Sequence, residues 1–220
     1  MLARAICQEP EILILDEPTS FLDIRHKLEL LAILKRLVLE KQIAVIISMH
    51  ELDLAQKLSD RVVCVRGDRI DKCGTPDEIF TDAYIAQLYQ VSCGSYHTVY
   101  GFMELEKPAG KPEVFVIGGG GSGIPIYRQL QRKGIPFAAG VLHENDMDLP
   151  AAQALAAQII TERAFEPIGE QALAQAKACM ETCTRVICCP ERFGTMNAGN
   201  QQLMQLAQKQ GKLFNHKRGL

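Results

Sequence analysis

The sequence predicts an α/β protein in two parts: a first α/β domain over residues 1–92, a linker over 93–112, and a small doubly wound parallel-sheet domain over 113–220. Three observations lead there. Short β-branched runs alternate with amphipathic segments after residue 112, the rhythm of parallel strands covered by helices. Before it, two apolar runs, "ILIL" and "IAVIIS", end on polar residues. Between the parts, "KPAGKP" (Lys107 to Pro112) carries two prolines and a glycine and breaks the pattern.

In the first part, Leu2 to Cys7 reads as the end of a helix and Glu11 to Leu15 as a short buried strand. Ile24 to Lys41 is a long helix with Leu30, Ile33, Leu34 and Leu37 on one face and Arg25, Glu29, Arg36 and Glu40 on another. Ile43 to Ser48 is a second buried strand, and Glu51 to Ser59 a helix. "RVVCVRGDRIDKCG" reads as a hairpin turning near Gly67-Asp68. Thr75 and Glu78 have capping-box spacing, with Pro76 at the first helical position, and open two short helices that run to about Val91.

In the second part, "EVFVI" is a strand, "GGGGSG" a turn, and a helix follows to about Lys133. "PFAAGVL" is a strand, Leu149 to Ala157 a helix, "QIITE" a strand, Gly169 to Thr182 a helix, "RVICCP" a strand and Met196 to Gln210 a helix. "KLF" is a last edge strand. With five strands and four helices, about 108 residues bury a core of their own.

Composition excludes more than it selects. Hydrophobic residues make up 47% and charged residues 23%, with a net charge of −2, so no basic excess points to nucleic acid. The apolar run Ile43 to Met49 is far shorter than the roughly 20 residues that span a bilayer. No secretory signal is visible in "MLARAICQEP", and eight scattered cysteines suit a reducing, cytosolic setting. Cys179, Cys183, Cys188 and Cys189 cluster but lack the paired CxxC spacing of strong metal motifs, and read as small apolar residues.

The first part carries the sharper chemistry. Asp16 and Glu17 end a strand, and successive strand side chains point in opposite directions. One acid can serve a divalent cation while the other polarises a water, the division that phosphoryl transfer needs. His50 ends the second apolar strand, within reach of the same edge. Alone, an Asp-Glu-Pro run also reads as a strand simply turning into a loop; with His50 it becomes a constellation.

"ILILDEPTSFLD" followed by "IISMHELDLA" resembles the second half of an ABC transporter ATPase domain, with "FLDI" and "HELDLA" similar to the iron-chelate, haem and cobalamin importer branch. The resemblance covers about residues 1–92. It implies that Asp16 is the Walker B aspartate holding Mg²⁺ through water, and that Glu17 is the catalytic glutamate. It further implies that His50 is the switch histidine sensing the γ-phosphate, and that Ser20 and Asp23 lie in the D-loop, which contacts a second ATPase subunit. The implied cofactors are ATP and Mg²⁺. The implied partners are a permease and the second subunit of a dimer, at the inner face of the cell membrane.

The departures are equally definite. The GxxxxGK[ST] phosphate loop, the glutamine loop and LSGGQ are absent, and "GGGGSG" lacks the lysine of a phosphate loop. In the family "LARA" follows LSGGQ closely, so the resemblance implies a start just past that signature, with Met1 an internal methionine or a chance start. Without partner strands, unpaired edges and an exposed apolar face are expected. Without the phosphate loop, neither binding nor hydrolysis of ATP is expected from this fragment alone.

In the second part Gly118, Gly120 and Gly123 have G-x-G-x-x-G spacing between a strand and a helix, the Rossmann-like arrangement. Such a turn, with Ser122, aims N–H groups at an anion; its other reading is a tight turn used only for packing. The acids that follow, Glu144 and Asp146, lie 26 and 28 residues past Gly118 rather than about 20. For strand order 3-2-1-4-5, the loop "ERFGTMNAGN" faces the glycine turn, with Thr195, Asn197 and Asn200 placed to bind a small polar ligand. This half more loosely resembles the accessory C-terminal domain of some cobalamin or siderophore importer ATPases. The leading expectation is therefore the ATP-hydrolysing component of an importer for an iron chelate, haem or corrinoid. The alternative is a non-catalytic ligand-binding or regulatory module built on the Rossmann-like domain.

Overall fold

The computed structural model describes residues 2–91, 93–98 and 101–214. Met1, the 92 boundary of the first domain and the 215–220 end of the second lie outside them. The chain divides into two compact units, residues 1–90 with 98–102, and 91–97 with 103–220.

The first unit opens with α1 (Leu2–Ile6) and β1 (Ile12–Asp16), then α2 (Ile24–Lys41) and β2 (Ala44–Ser48). β1 and β2 pair in parallel, with Ile12 opposite Ala44 and Asp16 opposite Ser48. Asp23 caps α2 by accepting the His26 N–H at 2.9 Å. α2 buries Leu31 and Leu34, whereas Ile33, expected on the inner face, is exposed. α3 (Leu52–Leu58) follows, then the hairpin of β3 (Val62–Arg66) and β4 (Arg69–Gly74). Its two-residue turn places Gly67 at φ 62, a left-handed conformation that glycine adopts without strain. The expected capping box forms ahead of α4 (Pro76–Ile79), with the Thr75 N–H donating to Glu78 at 2.8 Å, and α5 (Asp82–Leu88) completes the run.

One expectation for this unit needs correcting. β1 and β2 are not buried strands. Ile12, Ile14 and Ile46 are 57%, 72% and 57% exposed, because the parallel sheet has two strands and no layer of the described residues covers that face. An exposed apolar face, as expected of strands with few partners, is what the unit presents among the described residues.

Across the segment read as a linker, β5 (Ser95–His97) and β6 (Phe102–Glu104) form a small two-stranded sheet. In the second unit, Glu104 of β6 is buried and accepts two hydrogen bonds from the Arg128 guanidinium, at 2.8 and 2.5 Å.

The second unit alternates without a break: β7 (Val114–Ile117), α6 (Ile124–Arg132), β8 (Phe137–His143), α7 (Leu149–Leu155), β9 (Gln158–Glu162), α8 (Glu170–Thr182), β10 (Arg185–Cys188), α9 (Ala198–Lys209) and β11 (Leu213–Phe214). All pairs are parallel, in the order β11-β10-β7-β8-β9. That is the 3-2-1-4-5 arrangement supposed for the ligand loop, with "KLF" supplying the edge. Side-chain alternation splits the core between the two faces. Val114 and Val116 pack with Tyr127, Leu130, Phe137 and Leu155 under α6 and α7. Phe115 and Ile117 pack with Met180, Val186 and Leu203 under α8 and α9. The four clustered cysteines are parts of this packing. Cys179 and Cys183 sit in the second cluster and Cys189 in the first, and burial pushes the Cys188 and Cys189 thiols up to about 11 and about 12. Among the described residues no group of three or more His, Cys, Asp or Glu is arranged to hold a metal ion.

Candidate functional site

Parallel pairing of β1 with β2 brings the carboxyl ends of both strands to one edge, and this assembles the acidic site. Asp16 stands opposite Ser48 in the register, and the Ser48 hydroxyl donates to its carboxylate. The Glu17 N–H donates to Ser48 Oγ at 3.0 Å and to Ser48 O at 3.1 Å, which locks the turn out of β1 onto the end of β2. Glu17 is held in the left-handed region at φ 42, uncommon for a residue with a side chain and a marker of a constrained position. Its Oε1 is 2.7 Å from His50 Nε2, and its Oε2 accepts from the Ser20 hydroxyl at 3.0 Å. Asp16, Glu17, Ser20 and His50 thus meet. Asp23 does not join them: its carboxylate caps α2 and lies 2.8 Å from His26 Nδ1, and the His26 N–H holds it below the usual carboxylate range.

Sequence reasoning overlooked the support beneath this edge. The fully buried Thr19 donates its hydroxyl to Glu51 Oε2 at 2.9 Å, and Lys27 Nζ donates to Glu51 Oε1 at 2.7 Å. Lys27, then Thr19, hold the Glu51 carboxyl below its ordinary value. The available signals were Ser48, the polar end of an apolar strand, and Glu51, adjacent to His50.

In the second unit the glycine turn lies at the carboxyl end of β7, beside β10, where the strand order reverses. Its Gly119, Gly120 and Gly123 N–H groups are already occupied. Asp148 Oδ2 accepts from Gly119 at 2.6 Å and Gly123 at 2.8 Å, and its Oδ1 from Ile124 at 3.3 Å. Asp146 accepts from Gly120 at 3.0 Å and 3.1 Å. Ser122 turns its hydroxyl inward to Gly119 O at 2.6 Å. The turn expected to offer free donors to an outside anion therefore carries two carboxylates of its own chain. Burial raises the Asp148 carboxyl above its ordinary value, although the Gly119 and Gly123 N–H groups pull the other way.

The glycines themselves have packing reasons. A Cβ on Gly118 would stand 2.2 Å from the Tyr127 hydroxyl, and one on Gly123 would stand 2.5 Å from it and 2.8 Å from Asp148. Gly120 needs no room, but its φ of 62 favours glycine. The Tyr127 hydroxyl is buried without a hydrogen-bond partner among the described residues.

The facing loop contributes unequally. Asn200 is buried and clamps both polar groups of Val141, accepting its N–H at 3.0 Å and donating to its carbonyl at 2.9 Å. Asn197 accepts the Gly194 N–H at 2.7 Å. Both line a cavity of about 180 Å³ beside Gly118 to Gly120; Thr195 is exposed and is not among its lining residues.

Relatives of known class match both units. The MJ0874 family model matches residues 137–217. An uncharacterized ABC transporter ATP-binding protein, MJ0873 of Methanocaldococcus jannaschii, is 36% identical over 143 residues, 64% of this chain and 49% of that one. The cobalamin import ATP-binding protein BtuD of Halobacterium salinarum is 29% identical over 198 residues, 86% of this chain and 50% of that one. The hypophosphite import ATP-binding protein HtxD of Stutzerimonas stutzeri is 43% identical over 96 residues, 44% of this chain and 28% of that one. The chain spans about half the length of the first two of these curated relatives. By these likenesses the chain is a homologue of ABC transporter ATP-binding proteins.

Proposed function

We propose that residues 1–92 are the water-activating half of an ABC-type ATPase domain in an importer for an iron chelate, haem or corrinoid. The observation that supports this most is the 2.7 Å contact between Glu17 and His50 at one strand edge, with Asp16 beside them. Glu17 acts as general base toward the attacking water. His50 orients Glu17 and reaches the γ-phosphate. Ser20 fixes the second oxygen of Glu17, and the Ser20–Asp23 segment faces a second ATPase subunit. Asp16 is exposed and offers one carboxylate, which suits Mg²⁺, an ion commonly held by one or two carboxylates, waters and substrate phosphates. When bound, that ion supplies charge neutralisation on the phosphate oxygens. Nucleotide contacts come from a phosphate loop that these residues lack, so the chain by itself is inactive.

Transport needs a permease, and the protein works at the inner face of the membrane through it. No helix among the described residues is long and apolar enough to cross a bilayer. The hypophosphite relative matches 44% of the chain and the cobalamin relative 86% of it, which favours a corrinoid over hypophosphite.

The test is ATP turnover in a protein where a phosphate-loop segment precedes these residues. Glu17→Gln should lower turnover by about 100-fold or more with ATP affinity retained. His50→Ala should lower it by about 100-fold. Wild-type turnover in Glu17→Gln would remove Glu17 from the role of base.

A further inference from the structure

The glycine turn of the second unit borders a cleft with two lobes of about 290 and 180 Å³. Asp146 and His143 line both lobes, and Asn145, Met147, Phe165 and Met196 wall the larger one. We propose that this cleft binds a small organic cation, a protonated amine on an apolar body, with Asp146 as its counter-charge. This goes beyond the ATPase reading of the first unit and does not depend on it.

Three observations converge. First, four N–H groups at the turn are engaged within the chain: those of Gly119, Gly120, Gly123 and Ile124 all donate to Asp146 or Asp148. A pyrophosphate at this turn would have to displace two carboxylates covalently tethered to the chain. Second, no lysine or arginine is among the lining residues of either lobe, and Asp146 lines both. An incoming anion meets like charge with no lysine or arginine to offset it, whereas a cation meets attraction. Asp146 Oδ1 accepts from both the Gly120 and Asp148 N–H groups, while its Oδ2 accepts from Gly120 alone and keeps acceptor capacity for an ammonium. Third, the larger lobe exposes apolar surface beside that carboxylate: Phe165 is 81% exposed and Met147 60%. An aromatic ring and thioethers suit an apolar body and favour a nearby ammonium. The volumes suit a ligand at the small end of the usual pocket range.

The test uses the full chain, ¹⁵N-labelled, and a matched pair of probes: phenethylamine, and 3-phenylpropionate, which carries a carboxylate on the same phenylethyl body. Phenethylamine at millimolar concentration should shift the Gly120, Asp146 and Phe165 amides, and 3-phenylpropionate and NADH should leave them in place. Asp146→Asn, which keeps an acceptor for Gly120, should weaken phenethylamine about tenfold. Phe165→Ala changes an exposed side chain and should weaken it severalfold while the glycine-turn signals stay put. Equal shifts from 3-phenylpropionate, no shifts from phenethylamine, or unchanged affinity in either variant would overturn the proposal. Should Asp146→Asn fail to fold, Phe165→Ala and the probe pair decide it.

Discussion

The strands "ILILD" and "VFVI" are written in the same alphabet and end in opposite circumstances. In β7 all four side chains are buried, because strands flank it on both sides and helices cover both faces. In β1 the alternate residues Ile12 and Ile14 are exposed, because β2 is its one partner strand among the described residues. Apolar composition therefore sets how much a strand can bury, while the count of neighbouring layers sets how much it does bury. The same contrast runs through the two strand-end sites. At β1 the acids face outward, joined to a histidine; at β7 the acids turn inward and close the glycine turn.

The largest effect that would sharpen this contrast is in the five-stranded core. Phe115→Ala should cost the second unit about 3–5 kcal/mol, read by urea unfolding with hydrogen exchange to separate the units. Next comes the glycine turn. Gly123→Ala places a Cβ against the Tyr127 hydroxyl, and should destabilise the second unit by about 1–3 kcal/mol. Tyr127→Phe deletes that buried, unpartnered hydroxyl, should stabilise by about 1 kcal/mol alone, and should recover part of the Gly123→Ala loss. Strict additivity of the two changes would show that the hydroxyl is not the obstacle.

The two units should also respond to pH with opposite sign. The folded-state pKa of Asp148 is raised by burial, so the native unit holds its proton more tightly than the unfolded chain. Its contribution is present below the ordinary 3.8 and is lost as pH rises through the raised folded value. The pKa of Glu51 is lowered by Lys27 and Thr19. Its contribution is present above the ordinary 4.5 and is lost as pH falls through the depressed folded value. Unfolding measured across the acid range should show Asp148→Asn flattening the first dependence and Glu51→Gln flattening the second. Slopes left unchanged by both variants would refute the assignment.

The smallest expected effect is on the exposed face of β1. Ile14→Thr should change stability by less than about 0.5 kcal/mol. A loss of several kcal/mol would mean that the face is covered in solution.

Periodicity made most of the second unit legible. Five strands and four helices follow from alternating runs and short turns, down to the "KLF" edge, whereas the reversal of strand order at β7 was only a supposition. The acid pair and His50 were legible because each ends an apolar run. Burial in the first unit was not, since a strand's neighbours lie elsewhere in the chain. Asp148 was missed for a related reason. Nothing local in "HENDMD" reveals that the turn back from β8 delivers two of its carboxylates to glycines some 25 residues earlier. Asn200 was singled out as a ligand contact, and its amide is instead engaged with Val141, at an irregularity in β8 that no sequence signal marks.

The division of labour between the two units meets its most direct test in calorimetry of the full chain with Mg²⁺-ATP and with NADH. In the proposed reading one unit supplies water-activating acids without a phosphate cradle, and the other has a glycine turn already carrying Asp146 and Asp148. Neither nucleotide should show saturable binding. Micromolar binding of either one, abolished by Gly120→Val, would contradict this and return the glycine turn to use as an anion site.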